Sequence, residues 1–137
     1  MASGRINAGV VILAAGLSTR FGGRPKALAD FRGRPLLRAA VESFKLCGLS
    51  RITVVTGHAH PEVAALAEHL GAEPVFNRDY QQGMFSSVQT GVKAMAGLEA
   101  FFILPVDAAL VQPHTILSLV TTWRAIGRGL KTASILV

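Results

Sequence analysis

An α/β fold, doubly wound in three layers around a mainly parallel sheet, follows from two features of the chain. Four short apolar runs, Val10–Ala15, Ile52–Thr56, Glu73–Phe76 and Ala100–Leu104, alternate with four longer segments whose apolar residues recur at helical spacing. The runs are apolar throughout rather than at every second residue. Strands of that kind are buried on both faces, as in a parallel sheet covered by helices on each side. The predicted order is βαβαβαβα.

The helical segments are Leu36–Leu46, Pro61–Leu70, Phe85–Ala96 and Pro113–Ala125. In the first, Leu36, Leu37, Ala40, Val41 and Phe44 share a face; in the second, Val63, Leu66, Ala67 and Leu70 do. Pro35, Pro61 and Pro113 stand where a helix's first turn tolerates proline, and Gly48, Gly71, Gly97 and Gly127 follow as stop signals. Trp123 and the methionines fit helix packing. Repeats, low-complexity stretches and linkers are absent from the 137 residues, so 1–137 read as a single domain.

Charged residues make up only 16% of the chain, yet 14 Lys and Arg stand against 8 Asp and Glu, a balance of +6 that favours an acidic partner. The cations form no run and are not interleaved with aromatics, which argues against nucleic acid. Their densest group is Arg20, Arg24, Lys26, Arg32, Arg34 and Arg38, read as charge matched to a triphosphate and a phosphorylated second substrate. Cys47 is the lone cysteine; it forms no intrachain disulfide, fits a reducing compartment, and reads as a small buried apolar residue near a helix end. The apolar stretch after Arg5 is too brief for a secretory signal, and no run reaches the ~18–20 apolar residues of a membrane span. These readings predict a cytoplasmic protein that binds neither membrane nor nucleic acid.

Between Leu13 and Leu28 the chain reads L-A-A-G-L-S-T-R-F-G-G-R-P-K-A-L. A buried strand that breaks into a glycine loop brings backbone N–H groups close to an anion, and Ser18, Arg20, Arg24 and Lys26 add donors and charge. The loop points to a nucleotide. It is not a P-loop, since five residues separate Gly16 from Gly22 and Ala27 follows Lys26; nor is it G-x-G-x-x-G.

What stands there, A-A-G-x-S-x-R-x-G-G-x-x-K-x-L, resembles the signature of the nucleotide-sugar-type nucleotidyltransferases, and within them the molybdenum-cofactor branch that attaches CMP or GMP to molybdopterin. The resemblance implies a Rossmann-like fold of the nucleotide-diphospho-sugar transferase type. It implies that Leu13, Ala14, Ala15, Gly16, Ser18 and Lys26 bind the nucleotide, with Arg20 and Lys26 as catalytic cations on the triphosphate. The segment from Asn77 to Val88 looks like the family's second nucleotide-holding loop, which adds Asn77, Gly83, Ser86 and Ser87. Gly83 frees the backbone to turn, and the serines offer hydroxyl and N–H groups at a helix start. Phe101–Val111 resembles a strand ending in L-x-D-x-P-L-V, so Asp107 is the implied ligand of Mg²⁺, the one cofactor predicted. Ala109 departs from that pattern by replacing the proline.

The implied reaction is in-line attack of an acceptor phosphate, such as that of a molybdopterin-like compound, on the α-phosphate of CTP or GTP. Ala14–Gly16 looks more like the cytidylyl branch than the guanylyl one. A sugar-1-phosphate nucleotidyltransferase and a non-catalytic nucleotide-binding domain are the alternatives. His58 and His60 form an H-x-H without a third ligand at suitable spacing and read as exposed loop residues, with His69 and His114 on the surface. The resemblance runs from about Gly9 to Trp123, where family members continue with further strands, so the chain reads as partial, lacking its C-terminal part. Its apolar end at Ile135–Val137 is expected to be an unpaired sheet edge that promotes homo-oligomer formation.

Overall fold

A computed structural model describes residues 6–16, 25–126 and 134–136. The five-stranded sheet has the order β5-β4-β1-β6-β7, with every neighbouring pair parallel. Its strands are β1 (Ile6–Ala14), β4 (Leu49–Thr56), β5 (Glu73–Phe76), β6 (Ala100–Pro105) and β7 (Ser134–Leu136). The helices are α1 (Leu36–Leu46), α2 (His60–His69), α3 (Met84–Lys93) and α4 (Pro113–Ile126). The predicted fold class and the predicted order of the first four βα units hold.

β1 lies at the centre because it is apolar on both sides. Val10, Ile12 and Ala14 join Ile52, Val54, Phe102 and Leu104 against Leu37, Val41 and Phe44 of α1, Val63 and Ala67 of α2, and Ile116 and Val120 of α4. Phe44 meets Phe102 edge-on at 5.4 Å between centroids. Val11, Leu13 and Val55 face the other way, where α3 covers them. Gly91 makes that approach possible, since a Cβ on it would run into the Val11 side chain. Because α3 carries the chain from β5 across β4 and β1 to β6, the winding reverses at β1. In a parallel sheet the crevice outside the carboxyl ends of the strands at such a point is where ligands bind.

Several expectations are corrected. β5 is not buried on both faces: it is the sheet's edge, and Phe76 is 42% exposed. The apolar end is a sheet edge as expected, but not a strand without a partner, because Ser134–Leu136 pairs on one side with Phe101–Ile103 of β6. α3 stops at Lys93 instead of reaching Ala96, and Arg51 Nη1 donates to the carbonyls of Ala94 (2.7 Å) and Ala96 (3.3 Å) beyond its end. Pro35 caps α1 and also belongs to an unforeseen hairpin of β2 (Asp30–Phe31) and β3 (Arg34–Pro35), turned by Arg32 and Gly33 at positive φ. Met84 does not pack; it is 63% exposed. Cys47 stands as expected, buried at the end of α1.

Candidate functional site

The carboxyl ends of β1, β4, β5 and β6 converge on one edge, and the site divides into an ionic and a neutral half. On the ionic half, Leu13, Ala14 and Ala15 are buried side chains at the end of β1, so any nucleotide contact they make is through the backbone; Gly16 is exposed where the loop begins. Ser18, Arg20, Gly22, Gly23 and Arg24 lie outside the described residues. The chain resumes at Pro25 and enters a single 3₁₀ turn, Lys26–Leu28, pinned by the buried Ala27.

A matching turn, Val106–Ala108, follows β6 and is pinned by Val106 and the fully buried Ala109. Each turn sinks apolar residues into the core and carries one charge outward. Those charges meet: Lys26 Nζ lies 2.7 Å from Asp107 Oδ1, with the lysine side chain 31% and the aspartate 67% exposed. Ala109 has φ −61°, the angle a proline ring would impose, and its N–H donates to the Val106 carbonyl at 3.1 Å. The departure from the proline pattern therefore leaves the turn's shape intact and adds a bond proline could not make.

On the neutral half, Asn77 follows β5 and is 3% exposed. Its backbone N–H donates to the Thr56 carbonyl (2.9 Å), and its Oδ1 accepts from Asp79 N–H (3.0 Å). Its Nδ2 donates to both Ser86 Oγ (2.8 Å) and Ser87 Oγ (3.0 Å). One amide thus ties the 77–83 loop to the first turn of α3. Ser87 is buried; Ser86 is half-buried, with the Gly83 and Asp79 carbonyls 2.8 and 2.9 Å from its hydroxyl. Gly83 has φ +106°, the left-handed turn that its freedom was expected to supply.

Gly57 joins the halves. A Cβ there would lie 2.7 Å from both the Ala15 carbonyl oxygen and Tyr80 Cβ, so the exit of β4 wedges between the first loop's stem and the second loop. Sequence reasoning passed over it, and the available signal was a glycine placed directly after an apolar strand. Thr56 was passed over as well: fully buried, its Oγ1 lies 2.7 Å from His60 Nδ1.

These two loops and the turn after β6 span the region in which known proteins resemble this one. The profile of the MobA-like NTP transferase domain matches residues 10–133. The chain belongs to that family. It is 36% identical over 118 residues to the bifunctional protein GlmU of Acidovorax ebreus (strain TPSY), a match covering 81% of this chain and 25% of that protein. It is 32% identical over 114 residues to nicotine blue oxidoreductase of Paenarthrobacter nicotinovorans, covering 83% of this chain and 56% of that one. Among solved structures, the CTP:phosphocholine cytidylyltransferase of Streptococcus pneumoniae matches with a TM-score of 0.66 at 26% identity, over 80% of this chain and 50% of that chain. The chain thus spans from a quarter to just over half the length of these relatives.

Within this MobA-like domain, no group of three His, Cys, Asp or Glu side chains gathers among the described residues. Asp107, exposed directly past β6, can supply one carboxylate to that edge. That fits Mg²⁺, which takes one or two carboxylates and completes its octahedron with phosphate oxygens and water, and not an ion needing an all-protein cage. The H-x-H is no metal pair. His58 is exposed as expected, but His60 is half-buried in the first turn of α2, engaged at Nδ1 and tilted against the Phe76 ring at 4.7 Å between centroids.

The expected cation cluster is also divided. Arg38 Nε donates to Glu42 Oε2 at 2.8 Å, and Arg34 Nη1 lies 3.8 Å from Glu42 Oε1. The hydrogen bond from Arg38 is the main reason the Glu42 carboxyl is held below its usual pKa. Arg32 lies over the Phe31 ring at 5.3 Å. These arginines serve the hairpin and α1, which leaves Lys26 as the described cation of that group at the strand-end edge. No helix among the described residues is long and apolar enough to cross a membrane.

Proposed function

We propose that this domain is the nucleotide-binding part of a nucleotidyltransferase that moves CMP, or GMP, from the triphosphate to a phosphate monoester and releases pyrophosphate. The observation that carries the reading is the meeting of Lys26 and Asp107 at 2.7 Å outside the carboxyl ends of β1 and β6. A cation and a carboxylate at one point provide for the two halves of a metal–triphosphate: Lys26 for phosphate oxygens, Asp107 for Mg²⁺. Bound Mg²⁺ would offset charge on the attacked phosphate.

The chain's own residues account for the rest. The backbone of Leu13–Gly16, with Ser18 and Arg20 of the loop, receives the nucleotide, and Lys26 holds phosphate charge in place. Asn77 positions: its amide is spent on Asp79, Ser86 and Ser87, so it orders the second loop and the start of α3 for the nucleoside. An acceptor phosphate oxygen forms the new bond to the α-phosphorus as the bond to pyrophosphate breaks. No covalent enzyme intermediate is needed, and catalysis rests on placement and charge.

A molybdopterin-like phosphate is the proposed acceptor, supported by the MobA-like family match, while the Ala14–Gly16 form favours CTP over GTP. A sugar 1-phosphate presents the same monoester to the same two ions. Calorimetric titration with each of the four NTPs, with and without Mg²⁺, tests the nucleotide. Pyrophosphate release with molybdopterin, and separately with a sugar 1-phosphate, tests the acceptor. Binding of one pyrimidine or purine triphosphate that Mg²⁺ strengthens is the expected result. Failure to bind any of the four would end the reading.

A further inference from the structure

We propose that four rings past the ends of β4 and β5, those of His58, Tyr80, Phe76 and His60, form a stacking site for a planar nitrogen heterocycle. This rests on the function proposed above and adds to it the place where a ligand's ring lies. The rings follow one another in a row. His58 and Tyr80 are 6.3 Å apart between centroids, Tyr80 and Phe76 6.4 Å, and Phe76 and His60 4.7 Å. Successive planes are tilted by 48–57°, so a flat ring laid on one face meets the edge of the next, an arrangement that aromatic pairs favour. His58 and Phe76 are both exposed, at the carboxyl ends of the strands where ligands of such a sheet bind.

Local structure holds the row in place. Thr56, fully buried, engages His60 at Nδ1, and Phe76 ends β5 in register with Thr56. Tyr80 opens the 3₁₀ turn Tyr80–Gln82, with its Cβ against Gly57. It also packs on the buried cluster that contains Ala15, so the row begins beside the stem of the first loop. β4 is the neighbour of β1 and lies ~4.8 Å from it, so a ligand held by its phosphates at that loop brings its ring within reach. The polar edges of the row select a heterocycle. Among the described residues, His60 Nδ1 is the one polar side-chain atom of the row engaged in a hydrogen bond, which leaves the Tyr80 hydroxyl and both His58 nitrogens available. A hydrocarbon would gain the faces only; a nucleobase or a pterin gains faces and edges alike.

Tyr80 is the chain's single tyrosine, so isotope-labelled tyrosine gives one set of ring signals in the full chain. CTP, pterin and inorganic tripolyphosphate are titrated against it by nuclear magnetic resonance. A ring-bearing ligand is expected to shift the Tyr80 signals, and tripolyphosphate to leave them in place. A shift with CTP assigns the row to the base; a shift with pterin and none with CTP assigns it to the acceptor. Dissociation constants give the second reading. His58→Ala and Tyr80→Leu are expected to weaken the ring-bearing ligand about five- to thirtyfold and to leave tripolyphosphate within about twofold, while Tyr80→Phe keeps the stacking. His58→Ala carries this arm if Tyr80→Leu fails to fold, since His58 is exposed. Tyr80 signals unmoved by bound CTP and by pterin, or equal losses for CTP and tripolyphosphate in the variants, overturn the stacking site alone. If no triphosphate binds the wild-type chain, the proposed function falls, and the row then stands only on a shift with pterin.

Discussion

Two halves of one ligand edge are built from opposite materials. Lys26 and Asp107 are formal charges, the aspartate exposed and the lysine half-buried, that meet at the tips of two one-turn helices. Asn77, Ser86 and Ser87 are neutral, mostly buried, and joined by hydrogen bonds that use the whole asparagine side chain. The first arrangement contributes little to folding, because exposed ions pay in side-chain entropy and solvation for what they gain. The second is costly to disturb, since a buried polar group without its partner loses its water and receives nothing back. One half is suited to exchange partners, the other to keep its shape.

The contrast breaks most visibly at Asn77. Asn77→Leu would leave the buried Ser87 hydroxyl and the Asp79 N–H without their partner, while Ser86 keeps the Gly83 and Asp79 carbonyls. A loss of ~2–4 kcal/mol in urea unfolding is expected, from ~1–3 per stranded buried group with some relief by water. A loss below that of Lys26→Ala in the same experiment would erase the distinction. Lys26→Ala is expected to reverse the pattern. NTP binding should weaken by ~1.5–3 kcal/mol while cytidine binding and urea stability barely move, the latter within ~1 kcal/mol. Equal losses for cytidine and CTP would show that the lysine does not face phosphate.

Gly57→Ala sharpens the comparison by striking the wedge between the halves. Its Cβ would press on backbone as well as side chain, so overpacking of ~1–3 kcal/mol is expected. CTP binding should weaken along with stability, which neither half alone predicts.

The smallest effect concerns acid. The Glu42 carboxyl is held below its ordinary range in the folded chain, chiefly by Arg38. Its contribution is therefore present above the ordinary carboxylate pKa and lost as pH falls through the lowered one. Glu42→Gln should flatten that part of the stability–pH curve, read by thermal unfolding in steps of pH. An unchanged curve would remove Glu42 from the account.

What could be read in advance divides along similar lines. α1 and β5 are bounded as expected, because their limits are set by local chemistry: an apolar face closed by Gly48, a short run closed by Gly71 and Asn77. Burial of β5 was misread because an edge differs from a centre only through its neighbours, which a four-residue run does not contain. The apolar end was readable as a sheet edge, but its pairing with β6, about thirty residues earlier, is a long-range fact. Asp107 was legible because a carboxylate past a buried strand has one place to go. Asn77 could be singled out as the start of the second loop, but its partners depend on the close of β5 against Thr56, a long-range fact. Ser18 and Arg20 lie outside the described residues.

Cys47 has a practical use that follows from its place. It is the chain's lone thiol, 5% exposed, with Sγ 3.4 Å from the Pro113 carbonyl where α4 begins, and burial pushes its pKa up. A thiolate is the form that reacts with labelling reagents, so the folded molecule is chemically quiet at this point. Reaction must wait until the seam between α1 and α4 opens. The rate of labelling under native conditions is therefore a clock for that opening, readable in the unmodified protein without introducing a probe.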